Sequence, residues 1–204
     1  KALEAITDMT ISGGMEMIPM ALSGSVTIYH KEPGKTRQDM EFMGMTMTQA
    51  FDGEVAWFTN PQTQIAEEAP AEMQEYSKRG ALEMGNSLLL DPETFGVTHS
   101  LKGRETIEGS EYLVLERVFP GGATSALFID TQTYLVYKQI QKSLDVVGSE
   151  VEQEIVYSDY KEVEGIPFPF TMAINQGGEA FAIITMTDVK FNSGLDDSLF
   201  KMEK

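Results

Sequence analysis

The sequence predicts a mainly β protein (α+β), with one large antiparallel sheet curved around a single inserted helix, in one domain spanning residues 1–204. Three observations carry this. Segments of alternating apolar and polar residues recur at a spacing of roughly 8–14 residues, giving about ten or eleven strands. The connections between them are too short for parallel crossovers. Only the stretch between Pro61 and Leu90 changes to a helical period. A sheet of that many strands must twist, curl or close.

Lys1 to Ile6 contains strong helix formers and reads as the last turns of a helix whose beginning is missing. Ile11, Met15 and Met17 then share one side of an alternating run that breaks at Pro19. From Gly24 to His30, Val26 and Ile28 oppose Ser25, Thr27 and Tyr29. Pro33 and Gly34 mark a turn, since Pro presets φ and Gly supplies a positive φ. The run Arg37 to Phe51 alternates through Met40, Phe42, Met45 and Met47, with Gly44 as a bulge or turn. Asp52-Gly53 signals a hairpin leading into Val55 to Thr59, which stops at Asn60-Pro61.

Met73, Tyr76, Gly80, Met84 and Leu88 recur every three or four residues, with Glu72, Glu75, Lys78, Arg79 and Glu83 on the other side. This predicts an amphipathic helix of about four turns within an insert at 70–90, with Pro70 at its start. The second half returns to strands. Phe95 to Leu101 and Thr106-Ile107 precede Tyr112 to Phe119, Thr124 to Ile129, Tyr134 to Gln141 and Val151 to Val163. Glu164-Gly165 turns the chain into a strand whose Pro167 and Pro169 cannot donate ladder hydrogen bonds and so belong at a strand start or an edge. Ala180 to Phe191 is a final strand, and Asp196 or Asp197 caps a short helical turn ending at Phe200.

Composition narrows the functions. With 42% hydrophobic residues the chain can bury a sizeable core. The net charge of −17 divides almost evenly, −8 over residues 1–102 and −9 over the rest, so the whole surface is acidic. Such a surface repels phosphate backbones and anionic lipid. There are no cysteines, which excludes disulfides and thiol chemistry. No apolar run reaches the length of about 20 residues that a membrane-spanning helix needs. The chain begins at Lys1 rather than Met, so an upstream segment such as a signal peptide is expected to have been removed.

No catalytic motif is present: there is no Gly-x-Ser-x-Gly elbow, and His30 and His99 lie far apart without Asp or Glu at ligand spacing. Asp196-Asp197 and Asp91-Pro92-Glu93 supply too few oxygens for a calcium loop. Gly103, Gly121-Gly122 and Gly177-Gly178 read as turns, not phosphate loops.

Several segments in order resemble LolA-like, outer-membrane lipoprotein-sorting proteins, the fold of lipoprotein carriers and RseB-like sensors. They are Ile-Tyr-His-Lys-Glu-Pro-Gly-Lys (28–35), Phe-Asp-Gly-Glu-Val-Ala-Trp (51–57), Asn-Pro-Gln-Thr (60–63), Phe-Ile-Asp-Thr-Gln-Thr-Tyr-Leu-Val (128–136), the hairpin 157–169, and Val-Lys-Phe-Asn-Ser-Gly-Leu-Asp-Asp-Ser-Leu-Phe (189–200). The resemblance implies an unclosed, strongly curved antiparallel β-barrel of about eleven strands, with helix packed on its concave face over an apolar cavity. It implies a non-enzymatic, periplasmic protein that carries lipid or the acyl chains of lipoproteins, without cofactor, and that meets lipid, an acylated lipoprotein or another envelope protein. Anchoring to a membrane through the removed upstream segment fits the same resemblance. The chain departs from the family pattern in its short N-terminal helix and in having one inserted helix rather than several.

The 13 methionines bear on that cavity. Methionine stripes usually mean core packing, but an unbranched, polarizable side chain also suits a cavity that accepts chains of variable shape. The residues expected to line it are Met45, Met47, Trp57, Phe58, Met73, Tyr76, Met84 and Leu88. The alternative is a sensor or protein-interaction module whose interior is filled by its own side chains.

Overall fold

The computed structural model describes residues 2–144 and 148–202. Thirteen strands occur among the described residues. They are β1 (Asp8–Met17), β2 (Leu22–Lys31), β3 (Lys35–Phe42), β4 (Met45–Phe51), β5 (Ala56–Thr59), β6 (Ala66–Glu68), β7 (Thr98–Ile107), β8 (Ser110–Val118), β9 (Thr124–Asp130), β10 (Val136–Leu144), β11 (Glu150–Val163), β12 (Ile166–Gln176) and β13 (Glu179–Phe191). Two helices follow β6: α1 (Ala71–Met84) and α2 (Ser87–Leu90). The strands form one sheet in the order β6-β5-β4-β3-β2-β1-β13-β12-β11-β10-β9-β8-β7. Its end strands are not paired with each other, so the sheet is open.

The count is thirteen rather than about eleven, for reasons visible in the backbone. Met43 and Gly44 both have positive φ, 53° and 79°, and Phe42 pairs with Met45, so the expected run 37–51 is two strands around a two-residue turn. Thr98 to Leu101 and Thr106-Ile107 belong instead to one strand, β7, bulged between Leu101 and Gly103, where Gly103 takes φ 132°, while Phe95 ends a 3-10 turn, Glu93–Phe95, ahead of it. β6 has no hydrophobic period of its own and exists because it pairs with β5. Near the N-terminus a single 3-10 turn, Leu3–Ala5, replaces the expected helix end, and Lys1 lies outside the described residues.

By contact the chain divides into two compact units, Lys1–Leu90 with Ile184–Lys204, and Asp91–Ile183. In the first, successive hairpins β1 to β6 bury one sheet face through Met9, Ile11, Val26, Ile28, Met40 and Phe42. α1 packs on that face, where Ala81 meets a cluster of Phe51, Ala56 and Ala69 flanked by Phe58 and Met73. The helix ends at Gly85, whose backbone is extended (φ −89°, ψ −175°), and only glycine fits there because a Cβ would strike His30 Nε2 and the Glu32 carboxylate. The C-terminal 3-10 turn Asp197–Phe200 is capped by Asp196, which accepts from Ser198 N at 2.9 Å.

In the second unit, Tyr112, Val114 and Phe128 form a core with Tyr137 and Ile140 against them, the Tyr112 and Tyr137 rings stacking at 4.7 Å. The β11–β12 hairpin turns through Glu164 and Gly165, both at positive φ, between the pair Val163 and Ile166. Pro167 and Pro169 lie among the first four residues of β12, opposite Glu162 and Tyr160. The Tyr160 hydroxyl donates to Val136 O at 2.6 Å, and burial pushes its pKa up to about 12.

Candidate functional site

Residues directly opposite each other in an antiparallel pair share a face. The register therefore assembles a methionine-rich surface in the first unit. Met9 pairs with His30 and Ile11 with Ile28, while Val26 pairs with Met40. Met40 in turn pairs with Met47, and Phe42 with Met45. Gln49 and Phe51 extend the same face to Phe58 and Ala56 of β5. Met15 and Met17 continue it along β1 by alternation and are buried.

α1 crosses this face near the end of the sheet where β2 leads into β3. Gln74 fixes one end of the helix: its side-chain Oε1 accepts from Ala56 N at 2.6 Å, and its Nε2 donates to Ala56 O at 3.0 Å and Ala69 O at 2.8 Å. At the other end the Thr36 hydroxyl donates to Met84 Sδ at 3.7 Å. Beyond Gly85, the Glu32 carboxylate accepts from Asn86 N at 2.5 Å and from the Ser87 hydroxyl, with His30 Nε2 3.5 Å away. Burial pushes Glu32 up, but the contacts with His30, Ser87 and Asn86 outweigh it and hold the carboxyl below the ordinary range. This cluster anchors the start of α2.

Of the eight expected residues, Phe58 and Met73 pack together on the Phe51–Ala56 cluster. Met45 and Met47 lie on the same sheet face. Met84 lies against Thr36, and Leu88 is fully buried in α2. Tyr76 is half-buried, with the Arg79 guanidinium over its ring at 4.8 Å. Trp57 is on the other side of the sheet: it pairs with Ala50, and its indole Nε1 donates to Phe200 O at 2.7 Å. Adjacent strand residues cannot share a face, which separates Trp57 from Phe58.

The face that holds Trp57 is polar. Arg37 Nε donates to both Asp39 oxygens at 2.9 and 3.1 Å, and its Nη1 donates to Leu199 O at 3.0 Å. Thr48 donates to Asp39 Oδ1 at 2.7 Å. Two hollows border Arg37. One of about 650 Å³ is lined by the C-terminal residues Leu195, Ser198 and Leu199 among others, and one of about 310 Å³ by Thr48, Trp57, Thr59 and Gln64. Arg37 and Asp39 went unremarked in the sequence, although their i, i+2 spacing on a strand puts them on one face.

The second unit carries a polar row that also went unremarked. Across β7 to β12, His99 pairs with Arg117, Arg117 with Ser125, Ser125 with Gln141, Gln141 with Gln153 and Gln153 with Gln176. Gln139 Nε2 donates to Gln141 Oε1 at 2.8 Å, and Gln141 Nε2 to Gln153 Oε1 at 2.9 Å. Arg117, Ser125 and Gln139 are buried. Burial and the charge of Arg117 lower the pKa of His99. The glutamines at alternating positions of β10 were the available signal. Among the described residues no group of three His, Asp or Glu side chains is placed to hold a metal ion. No helix among them is long and apolar enough to cross a membrane.

No family model and no curated protein matches the chain. Solved structures do. A DUF1329 family protein from Desulfovibrio piger superposes with a TM-score of 0.65 at 16% identity, covering 98% of this chain and 92% of that one. A LolA superfamily protein from Nitrosomonas europaea gives 0.64 at 13% identity over 96% and 90% of the two chains. An outer membrane lipoprotein-sorting protein domain from Vibrio parahaemolyticus gives 0.61 at 14% identity over 95% and 89%. The chain has a LolA-like fold.

Proposed function

We propose that this protein binds, without catalysis, a lipid or the acyl chain of a lipoprotein, and that it works in the bacterial periplasm, in envelope lipoprotein sorting. The observation that carries the reading is the methionine-rich sheet face with α1 packed across one end of it. Methionine adapts to apolar chains of variable shape, and no polar cluster interrupts the run Met9, Ile11, Met15, Met17 along β1. The LolA-like fold and the lipoprotein-sorting description of the Vibrio domain support the same class of ligand. Matches that span 98% and 96% of the chain support reading residues 1–204 as a single LolA-like domain.

The ligand surface in this reading is formed by Met45, Met47, Phe58, Met73 and Met84, with Tyr76 at its margin and Leu88 buried behind it in α2. A second reading has its own support. Met9, Ile11, Met15 and Met40 are already buried by the protein, as expected of an envelope sensor or protein-interaction module filled by side chains. Native mass spectrometry of delipidated protein with palmitate and with a triacylated lipopeptide separates the two. A one-to-one adduct that weakens in Met47→Gln is expected for a carrier. No adduct with either probe overturns the carrier reading and leaves the module.

A further inference from the structure

We propose that the apolar end of the first unit's sheet docks a protein partner presenting an apolar face bordered by Lys and Arg side chains. This surface shares Met45 with the proposed ligand surface but is carried by Met20, Met43 and Ile65, which lie outside it. β1 to β6 are consecutive antiparallel neighbours, so the β1–β2, β3–β4 and β5–β6 loops all leave the sheet at one end. Those loops and their flanks expose Met20 by 52%, Met43 by 82%, Met45 by 55% and Ile65 by 62%. At the other end the loops 32–34 and 52–55 expose no large apolar side chain to that degree among the described residues, and the apolar exposure there is that of Leu89 and Leu90 in α2, 53% and 46%. Adjacent apolar tips of this kind mark an interaction surface.

Local folding does not account for them. Met43 occupies the first position of a turn that needs positive φ at both residues, where Asn or Asp is the usual choice. The chain places a flexible, solvated thioether there, on a backbone at positive φ. Methionine is the side chain that repacks most readily against a partner's apolar surface.

Charge identifies the partner. Residues 9–30 and 38–77 contain no Lys or Arg, while Glu16 and Glu41 are exposed beside the loops. An acidic margin around apolar tips is complementary to a basic margin around an apolar face. A bilayer fits less well, because loops 18–21, 43–44 and 60–65 carry neither the aromatic anchors nor the basic residues of an interfacial segment.

The test uses the whole chain with ¹³C-methyl-labelled methionine. The probes are a synthetic amphipathic helix of Leu and Lys, the same helix with Glu for Lys, and vesicles of phosphatidylcholine and of phosphatidylglycerol. The Leu/Lys helix is expected to shift the Met20, Met43 and Met45 methyl signals ahead of those of buried Met9 and Met40. The double variant Met43→Asn/Met45→Thr keeps the net charge and suits the turn, and it is expected to weaken binding about tenfold while remaining folded by circular dichroism. The proposal is overturned if the variant binds equally well, if the shifts fall on other methyls, if the Leu/Glu helix binds as tightly, or if these methyls respond to vesicles and not to the helix.

Discussion

The indole Nε1 of Trp57 donates to the carbonyl oxygen of Phe200 at 2.7 Å, joining β5 to the C-terminal 3-10 turn across 143 residues of sequence. Both side chains are buried, so the bond pairs a buried donor with a buried carbonyl. Trp57→Phe leaves the Phe200 carbonyl unpaired, and its expected cost is about 1–3 kcal/mol. Urea denaturation followed by circular dichroism measures it, since Trp57 is the single tryptophan and its loss removes the fluorescence signal. A cost near zero would show that the C-terminal turn is held by other contacts.

Two glycines of the helical insert have opposite roles. A Cβ at Gly80, inside α1, meets nothing within 4 Å, whereas one at Gly85 strikes His30 and Glu32. Gly80→Ala is expected to stabilise by about 0.5–1 kcal/mol through helix propensity. Gly85→Ala is expected to destabilise by about 1–3 kcal/mol through overpacking. Thermal melts of the two variants should move in opposite directions, and equal shifts would contradict the packing at the α1–α2 break.

Glu32 gives a pH signature. Its folded pKa lies below the ordinary 4.5, because contacts with His30, Ser87 and Asn86 favour the carboxylate despite burial. The stability it contributes is therefore fully present above about pH 4.5 and is lost as pH falls through the lower folded value. The stability difference between wild type and Glu32→Gln should be constant at neutral pH and shrink below pH 4.5. A difference that grows on acidification would mean the sign is wrong.

Met43→Asn tests whether the β3–β4 turn trades stability for an exposed apolar tip. Met43 has φ 53° beside Gly44 at φ 79°, a geometry that Asn-Gly satisfies at lower cost. The substitution is expected to raise stability by roughly 0.5–1 kcal/mol, read as an increased urea midpoint with unchanged slope. A decrease would show that the methionine side chain packs within the fold.

Period and turn chemistry carried much of the architecture. Alternation through Met40, Phe42, Met45 and Met47 depends only on the two-residue repeat of a strand, and it places those residues on one face as the register has them. Gly44, Glu164-Gly165 and the Asp196 cap are local devices whose residue types fit their backbone conformation, so they too were readable. The extent of the strands was less so. β7 runs through a bulge at Gly103 that reads as an interruption, and β6 is a strand only because β5 lies beside it.

The sequence by itself determined an open-ended series of antiparallel strands with one helical insert, and which methionines share a face, because both follow from interactions within a few residues. Tertiary structure decided what each face meets. It set Trp57 against Phe200 rather than beside Phe58, bound the Gln74 amide to the backbone of Ala56, and fitted Gly85 against His30 and Glu32. It also aligned the row from His99 to Gln176 across six strands. Each of these depends on a partner distant in sequence, whose position is fixed by register and packing and leaves no periodic mark at either end.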